Sequence, residues 1–434
     1  MLNKLVKNSD QSEILKKGGS FLVFRGGGLL LSFLFTWYIT NYYGADTWGL
    51  VALGFTIFLF AGIISRMGFD INLVTFYARE ENQMDNRGLF LRLLGFSFGI
   101  SVLVAGGLYL LKPWLVNSIF KKPDLAAVYD YAILAIPLWT VILLCGGLLR
   151  AQKRNNWFAF LNNPGRFFFA LILLLILTTS SFDYLVPIKA HFYALIILAA
   201  IALTVVVLQL RSFTKGEKQS VRKFTFQSLP MMISSSIVVV LGGFDVLVIG
   251  AYESEENVAI YNICVKLALL TLLSLQSINS ILAPKIVKDY HAGQMDKFSR
   301  NIQFSTRLNF VLTSTVVLIL LLFNKPLLGL FGETFKTGST VLIILCLGQM
   351  VNAFCGSVGL ILQMIGKQRL FSLILSISLV INIVLNLVLV PIHGLMGAAV
   401  ATVISIAFWN ITATLFLRLK MNIRTYITFI QKQP

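Results

Sequence analysis

The 434-residue sequence predicts an all-α polytopic membrane protein of about 12 transmembrane helices in two six-helix lobes. Three observations carry this. Hydrophobic residues make up 57% and charged residues 12% of the chain, against about 25% charged in an ordinary soluble protein. Apolar runs long enough to cross ~30 Å of hydrocarbon follow one another with short connections. The cations fall in alternate loops. The net charge of +18 would suggest nucleic acid in a soluble chain, but cations gathered at the ends of apolar runs orient a membrane protein instead. Nucleic-acid binding is excluded on that ground.

The expected spans are 18–41, 47–70, 88–111, 125–149, 157–180, 187–210, 226–250, 257–284, 301–323, 337–362, 370–391 and 394–417. The first two form a hairpin, GGSFLVFRGGGLLLSFLFTWYIT and then Thr47 to Phe69, joined at Asn41 to Asp46. Ahead of them, Lys4, Lys7, Lys16 and Lys17 precede an apolar run too long for a removable signal, and residues 2–17 are expected as a short surface amphipathic segment. On the same side as these lysines fall Arg79, Arg87 and Arg92, then Arg150, Lys153 and Arg154, then Arg211, Lys215, Lys218, Arg222 and Lys223. They are followed by Lys285, Lys288, Lys297 and Arg300, by Lys367 and Arg369, and by Arg418, Lys420, Arg424 and Lys432. The other side has Lys112, Lys121, Lys122, Lys189, Lys325 and Lys336. Both termini are therefore expected in the cytoplasm, and an odd number of spans would destroy the segregation.

The string GGLLRAQKRNNWFAF (146–160) matches GLILQMIGKQRLFSL (359–373): an apolar run, a basic turn and an aromatic restart, at the same place in each half. This divides the chain into a lobe over 1–210, a cytoplasmic linker over 211–225 and a lobe over 226–434. Every loop is of connector length, so there is no aqueous domain. Cys145, Cys264, Cys346 and Cys355 lie in apolar runs without ligand spacing, and His191, His291 and His393 are scattered. No cofactor, metal site or disulfide is expected.

Ionisable residues inside spans cost about 2.5–3.5 kcal/mol on insertion scales and normally face a wet cavity or a partner. Arg25 and Arg307 each lie about seven residues, hence ~10 Å, into their spans, and the competing reading for both is a long side chain reaching back to the cytoplasmic headgroups. Arg166 and Lys266 lie near the midplane. Asp245 and Asp130, nearer the outer face, are the acids available for ion coupling. Arg66 is spaced for a local pair with Asp70. Arg166 follows Asn162-Asn163-Pro164-Gly165, a helix-breaking string, and a restart at Pro164 would set free N–H groups beside its guanidinium, a combination suited to phosphate. The competing reading is a kink with Arg166 bound to a neighbour's carbonyls. Gly95 and Gly99, like Gly26-Gly27-Gly28, have the spacing that lets backbones approach.

The order Tyr43-Gly44, Trp48-Gly49-Leu50, Gly68-Phe69-Asp70, Val74, Phe76 and Ala78-Arg79-Glu80, with Tyr261, Lys266, Ala283-Pro284, Tyr290 and Gly394-Leu-Met-Gly397-Ala-Ala further on, resembles the bacterial lipid-linked oligosaccharide flippases. These are the O-antigen type polysaccharide transporters of the multidrug/oligosaccharidyl-lipid/polysaccharide exporter superfamily. The resemblance implies a MATE-like fold and a transporter rather than an enzyme. Its substrate would be a polyprenyl-diphosphate-linked oligosaccharide, its place the bacterial inner membrane, and its partners membrane lipids and other glycan-assembly proteins. A cationic interior implies an anionic ligand, and Arg25, Arg166, Lys266 and Arg307 are expected to neutralise the diphosphate. A multidrug exporter of the same fold is the alternative, expected to carry acids deep in a lobe. A membrane glycan polymerase or ligase would need a large outer loop that this chain lacks.

Overall fold

The computed structural model describes residues 9–77, 87–180, 182–210 and 220–427, and these are helical almost throughout. Helix α1 (Ser9–Tyr42) turns at Gly44 into α2 (Ala45–Arg66), followed by the short α3 (Phe69–Tyr77). Next come α4 (Arg87–Trp114), which winds on as a π-helical turn to Phe120, and α5 (Leu125–Ala151). The fifth span is broken into α6 (Asn155–Asn162) and α7 (Pro164–Ser180), bent by 45°. After α8 (Val186–Leu210) follow α9 (Val221–Leu241), α10 (Phe244–Tyr252), α11 (Glu255–Leu269) and α12 (Leu272–His291), the last two bent by 41°. The chain ends with α13 (Met295–Leu322), α14 (Asn324–Gly329), α15 (Ser339–Cys355), α16 (Val358–Met364) and α17 (Gln368–Met421).

Eight of these helices are long and apolar enough to cross a membrane, and ten spans result when each bent pair counts as one. The 54 residues of α17 are broken at Gly394, whose φ of 55° and ψ of −133° are not helical, and so supply two span lengths. Helix α1, 34 residues long, precedes these spans. One expectation is corrected: α1 starts at Ser9, so residues 9–17 continue the first helix instead of forming a separate surface segment. Residues 2–8, the Ala78-Arg79-Glu80 string, most of the 211–225 linker and the lysines at 4, 7 and 432 lie outside the described residues.

Two compact units cover residues 1–240 and 241–434. In the first, α2 and α5 are buried along most of their length. Tyr43 shares a 2.7 Å hydrogen bond with Thr178 and stacks on Phe182, tying the α1–α2 turn to the far end of α7. Helix α9 packs here too, with Asn72 donating to Ser228 at 2.8 Å and Phe224 meeting Phe69 and Phe76 edge-on. In the second unit a core of Leu282, Ile286, Phe298, Ile302, Leu362 and Leu417 joins α12, α13, α16 and α17.

The internal repeat has a backbone signature. After α5, Lys153 takes a left-handed φ of 62° and Arg154 N–H donates to Leu149 O at 2.8 Å. After α16, Gly366 takes a φ of 78° and Lys367 N–H donates to Leu362 O, also at 2.8 Å. Each pair of matched residues stands at matched places in the strings aligned above, and both helices end by the same left-handed cap. The glycine pair on α4 is a correction, since a Cβ at Gly95 or Gly99 would meet nothing within 4 Å. Close approach occurs instead at Gly28, where a Cβ would stand 2.9 Å from the backbone of Asn163.

Candidate functional site: a caged guanidinium and a buried carboxylate

In the first unit the fifth span breaks because Asn162 and Asn163 turn their amides back on the helix they end, donating to Phe158 O at 3.0 Å and Ala159 O at 3.1 Å. Pro164 then opens α7, a position where its missing N–H costs nothing. The helix α1 crosses this break at Gly28, one turn beyond the half-buried Arg25. Arg166, two residues past Pro164, is only 8% exposed. Its guanidinium carbon lies 4.6 Å from the ring centre of Phe167, 4.9 Å from Phe55, 5.5 Å from Trp139 and 5.7 Å from Phe58. Helices α2, α5 and α7 thus build a cage of four rings, whose negative faces stabilise a cation without a carboxylate. A ring attracts the cation without accepting a conventional hydrogen bond from its N–H groups. Nε has no hydrogen-bond partner among the described residues.

His191 on α8 shares the cage walls, 4.3 Å from Phe55 and edge-on to Phe58 at 5.8 Å. It is 1% exposed, and its Nε2 is likewise unpartnered among the described residues. The sequence reading treated this histidine as scattered, because its neighbours come from a helix more than a hundred residues earlier. The local pair expected at the end of α2 is present, with Arg66 on Asp70 at 2.9 Å. Asp130 binds Lys112 through both carboxylate oxygens at 2.6–2.7 Å and is partly exposed.

In the second unit Asp245, at the start of α10, is 4% exposed. It accepts hydrogen bonds from Tyr261 on α11 at 2.5 Å, from Thr402 on α17 at 3.2 Å and from the N–H of Val246 at 2.9 Å. Tyr261 figured in the sequence only as part of a resemblance, and Thr402 carried no signal at all. Lys266, half-buried, stands one turn before the bend between α11 and α12. Arg307 lines a cavity of about 460 Å³ along α13 with Phe310, Ser314 and Ile427. All four cysteines are buried free thiols, and no group of three or more metal-binding side chains occurs among the described residues.

Two curated relatives match part of the chain. The Haloferax volcanii protein named "Probable low-salt glycan biosynthesis flippase" is 26% identical over 178 residues, 40% of this chain and 38% of that protein. The Shigella flexneri "Putative O-antigen transporter" is 27% identical over 175 residues, 39% of this chain and 41% of that protein. The alignments thus span under half the length of either relative. Among solved structures, the lipid II flippase MurJ in an inward closed conformation superposes with a TM-score of 0.73 at 15% identity, over 91% of this chain and 86% of its own. An inward-facing multidrug resistance MATE family transporter gives 0.71 at 16% identity, over 91% and 94%. These likenesses establish the fold. The MatE family matches residues 230–388, and the family described as polysaccharide biosynthesis protein matches residues 14–290, well over half of the chain. On the extent of that match, this chain belongs to the polysaccharide biosynthesis protein family.

Proposed function

We propose that the chain is a flippase, moving a polyprenyl-diphosphate-linked oligosaccharide, an O-antigen or exopolysaccharide repeat unit, from the inner to the outer leaflet of the bacterial cytoplasmic membrane by alternating access. The observation that carries this is the caged guanidinium of Arg166. A cation buried among four aromatic rings, its Nε without a hydrogen-bond partner among the described residues, suits an anionic ligand better than a cationic drug. The family and the relatives named for flipping glycan precursors and transporting O-antigen supply the ligand's identity. Arg25 and Arg166 are the proposed diphosphate contacts of the first unit and Lys266 that of the second, whereas Arg307, expected among them, lines the cavity along α13; Asp245 is the proposed ion-coupling group, its carboxylate poised by two hydroxyl donors. Asp130 already has Lys112 as its partner, which leaves Asp245 the better placed of the two. Both termini are proposed to be cytoplasmic on the distribution of loop cations.

A multidrug exporter is the second reading, favoured by the MatE match over 230–388 and by a buried acid at Asp245. Reconstituted proteoliposomes separate the two. A flippase makes fluorescent lipid-linked oligosaccharide accessible in the opposite leaflet, whereas an exporter moves cationic dyes and leaves the glycan lipid where it was.

A further inference from the structure

Two adjoining cavities in the second unit share the ring of Phe310. The larger, about 710 Å³, lies among α13, α15 and the end of α17, with Met350, Phe354, Ile411 and Leu415 as its apolar walls and Arg418 and Tyr426 in its lining. The smaller contributes Arg307. Such volumes are those of a ligand, far above the ~30 Å³ share of a water molecule.

The groove is built by the last described residues. Past α17 the chain reverses at Asn422, whose φ is 53°, and Ile423 N–H returns to Leu417 O at 2.9 Å. Thr306 on α13 donates to Thr425 O at 2.8 Å, and Ile427 N–H donates to Phe354 O on α15 at 3.1 Å. The ring of Tyr426 stacks on Phe354 at 6.4 Å. Residues 422–427 therefore clasp three helices together at one end of the groove. Arg418 is fixed at that end by a 2.9 Å hydrogen bond from its Nη1 to Asn422 Oδ1.

Among the described residues the lining has two arginines and no Asp or Glu. A small soluble anion would suit the positive charge of the lining but leave the apolar walls uncovered, and an uncharged hydrocarbon would do the reverse. One occupant matches both, a molecule with an acyl chain and a phosphate. Basic pockets between membrane helices at the cytoplasmic side are where anionic headgroups bind. We infer that this groove holds a resident anionic glycerophospholipid, its phosphate on Arg418 and Arg307 and an acyl chain along Phe310, Ile411 and Leu415. Bound there, the lipid bridges α13 and α17 and reinforces the clasp. This site does not depend on the transport reading, because it needs neither Arg166 nor Asp245.

The test uses the full chain purified in detergent, with native mass spectrometry and thermal melting in the presence of phosphatidylglycerol, phosphatidylcholine or undecaprenyl phosphate. Phosphatidylglycerol is expected to remain bound as one copy and to raise the melting temperature more than phosphatidylcholine does. Arg418→Gln is expected to weaken phosphatidylglycerol about tenfold, the loss of one charge-assisted contact, and to leave phosphatidylcholine unaffected. Leu415→Trp, which fills the groove and keeps the charge, is expected to abolish retention of phosphatidylglycerol in a protein that still elutes as a single species. Equal stabilisation by the two phospholipids overturns the inference. So does an unchanged phosphatidylglycerol preference in both variants, or tighter binding of undecaprenyl phosphate, which would make the carrier lipid the occupant.

Discussion

The guanidinium of Arg166 lies 4.9 Å from the ring of Phe55, a residue 111 positions earlier on the second helix. Two spans that sequence alone keeps apart are thereby joined by a cation over an aromatic face, with a third, α5, closing on it through Trp139. Cation–π contacts of this desolvated kind contribute about 2 kcal/mol. The cage holds the side chain in one place, so a phosphate meeting it would not have to order it first.

Replacement of Arg166 separates packing from binding. Arg166→Met fills much of the cage and removes a buried charge, a change that is often neutral for folding. Its melting temperature should stay close to that of the parent protein while transport of lipid-linked glycan falls roughly ten- to a hundredfold, the worth of a charge-assisted contact of about 1.5–3 kcal/mol. Arg166→Lys keeps the charge without the planar fork and should retain part of the rate. Normal leaflet transfer by a well-folded Arg166→Met variant would make this residue structural.

The carboxylate of Asp245 should matter for energy coupling. Asp245→Asn keeps the size of the side chain but removes the charge and one of its two acceptors, so transport driven by an imposed ion gradient should drop to the rate seen without one. Tyr261→Phe removes a hydroxyl donor 2.5 Å from the carboxylate and should shift the ion concentration for half-maximal transport by about tenfold. Flux measured against proton and sodium gradients in proteoliposomes checks both.

Membrane orientation is open to single-cysteine labelling, since Ser220 and Ser254 are both exposed. A membrane-impermeant thiol reagent applied to intact cells should modify Ser254→Cys and spare Ser220→Cys. Efficient outside labelling at position 220 would invert the proposed topology.

The repeated cap gives a stability test free of packing effects. Gly366 has a φ of 78° and nothing within 4 Å of the place a Cβ would occupy. Gly366→Ala should therefore destabilise the second unit by about 1–2 kcal/mol through backbone strain alone. Lys153 occupies the matching left-handed position, so Lys153→Gly should relieve a similar strain, both read from thermal melting in detergent.

Much of this fold could be read from the chain, because hydrocarbon demands long apolar runs and helical backbone wherever a segment crosses it. The break at Asn162-Asn163-Pro164, the Arg66 and Asp70 spacing and the two basic turns were legible for the same reason: each rests on residues within a few positions of one another. The cage around Arg166 was not. Its rings are ordinary members of apolar spans, and nothing local distinguishes Phe55 or Trp139 from phenylalanines that face lipid. Thr402 was hidden likewise, 157 residues from the carboxylate it serves. Gly95 and Gly99 misled in the opposite direction, since small-residue spacing permits close approach without requiring a neighbour.

The most direct test is leaflet accessibility of a defined polyprenyl-diphosphate oligosaccharide in proteoliposomes holding the purified chain. The account predicts that the protein, with an ion gradient imposed, exposes the glycan to an added glycan-binding protein far faster than protein-free vesicles do, and that Arg166→Met abolishes most of the gain. An unchanged rate of exposure relative to protein-free vesicles, in a preparation shown to be folded, would contradict it.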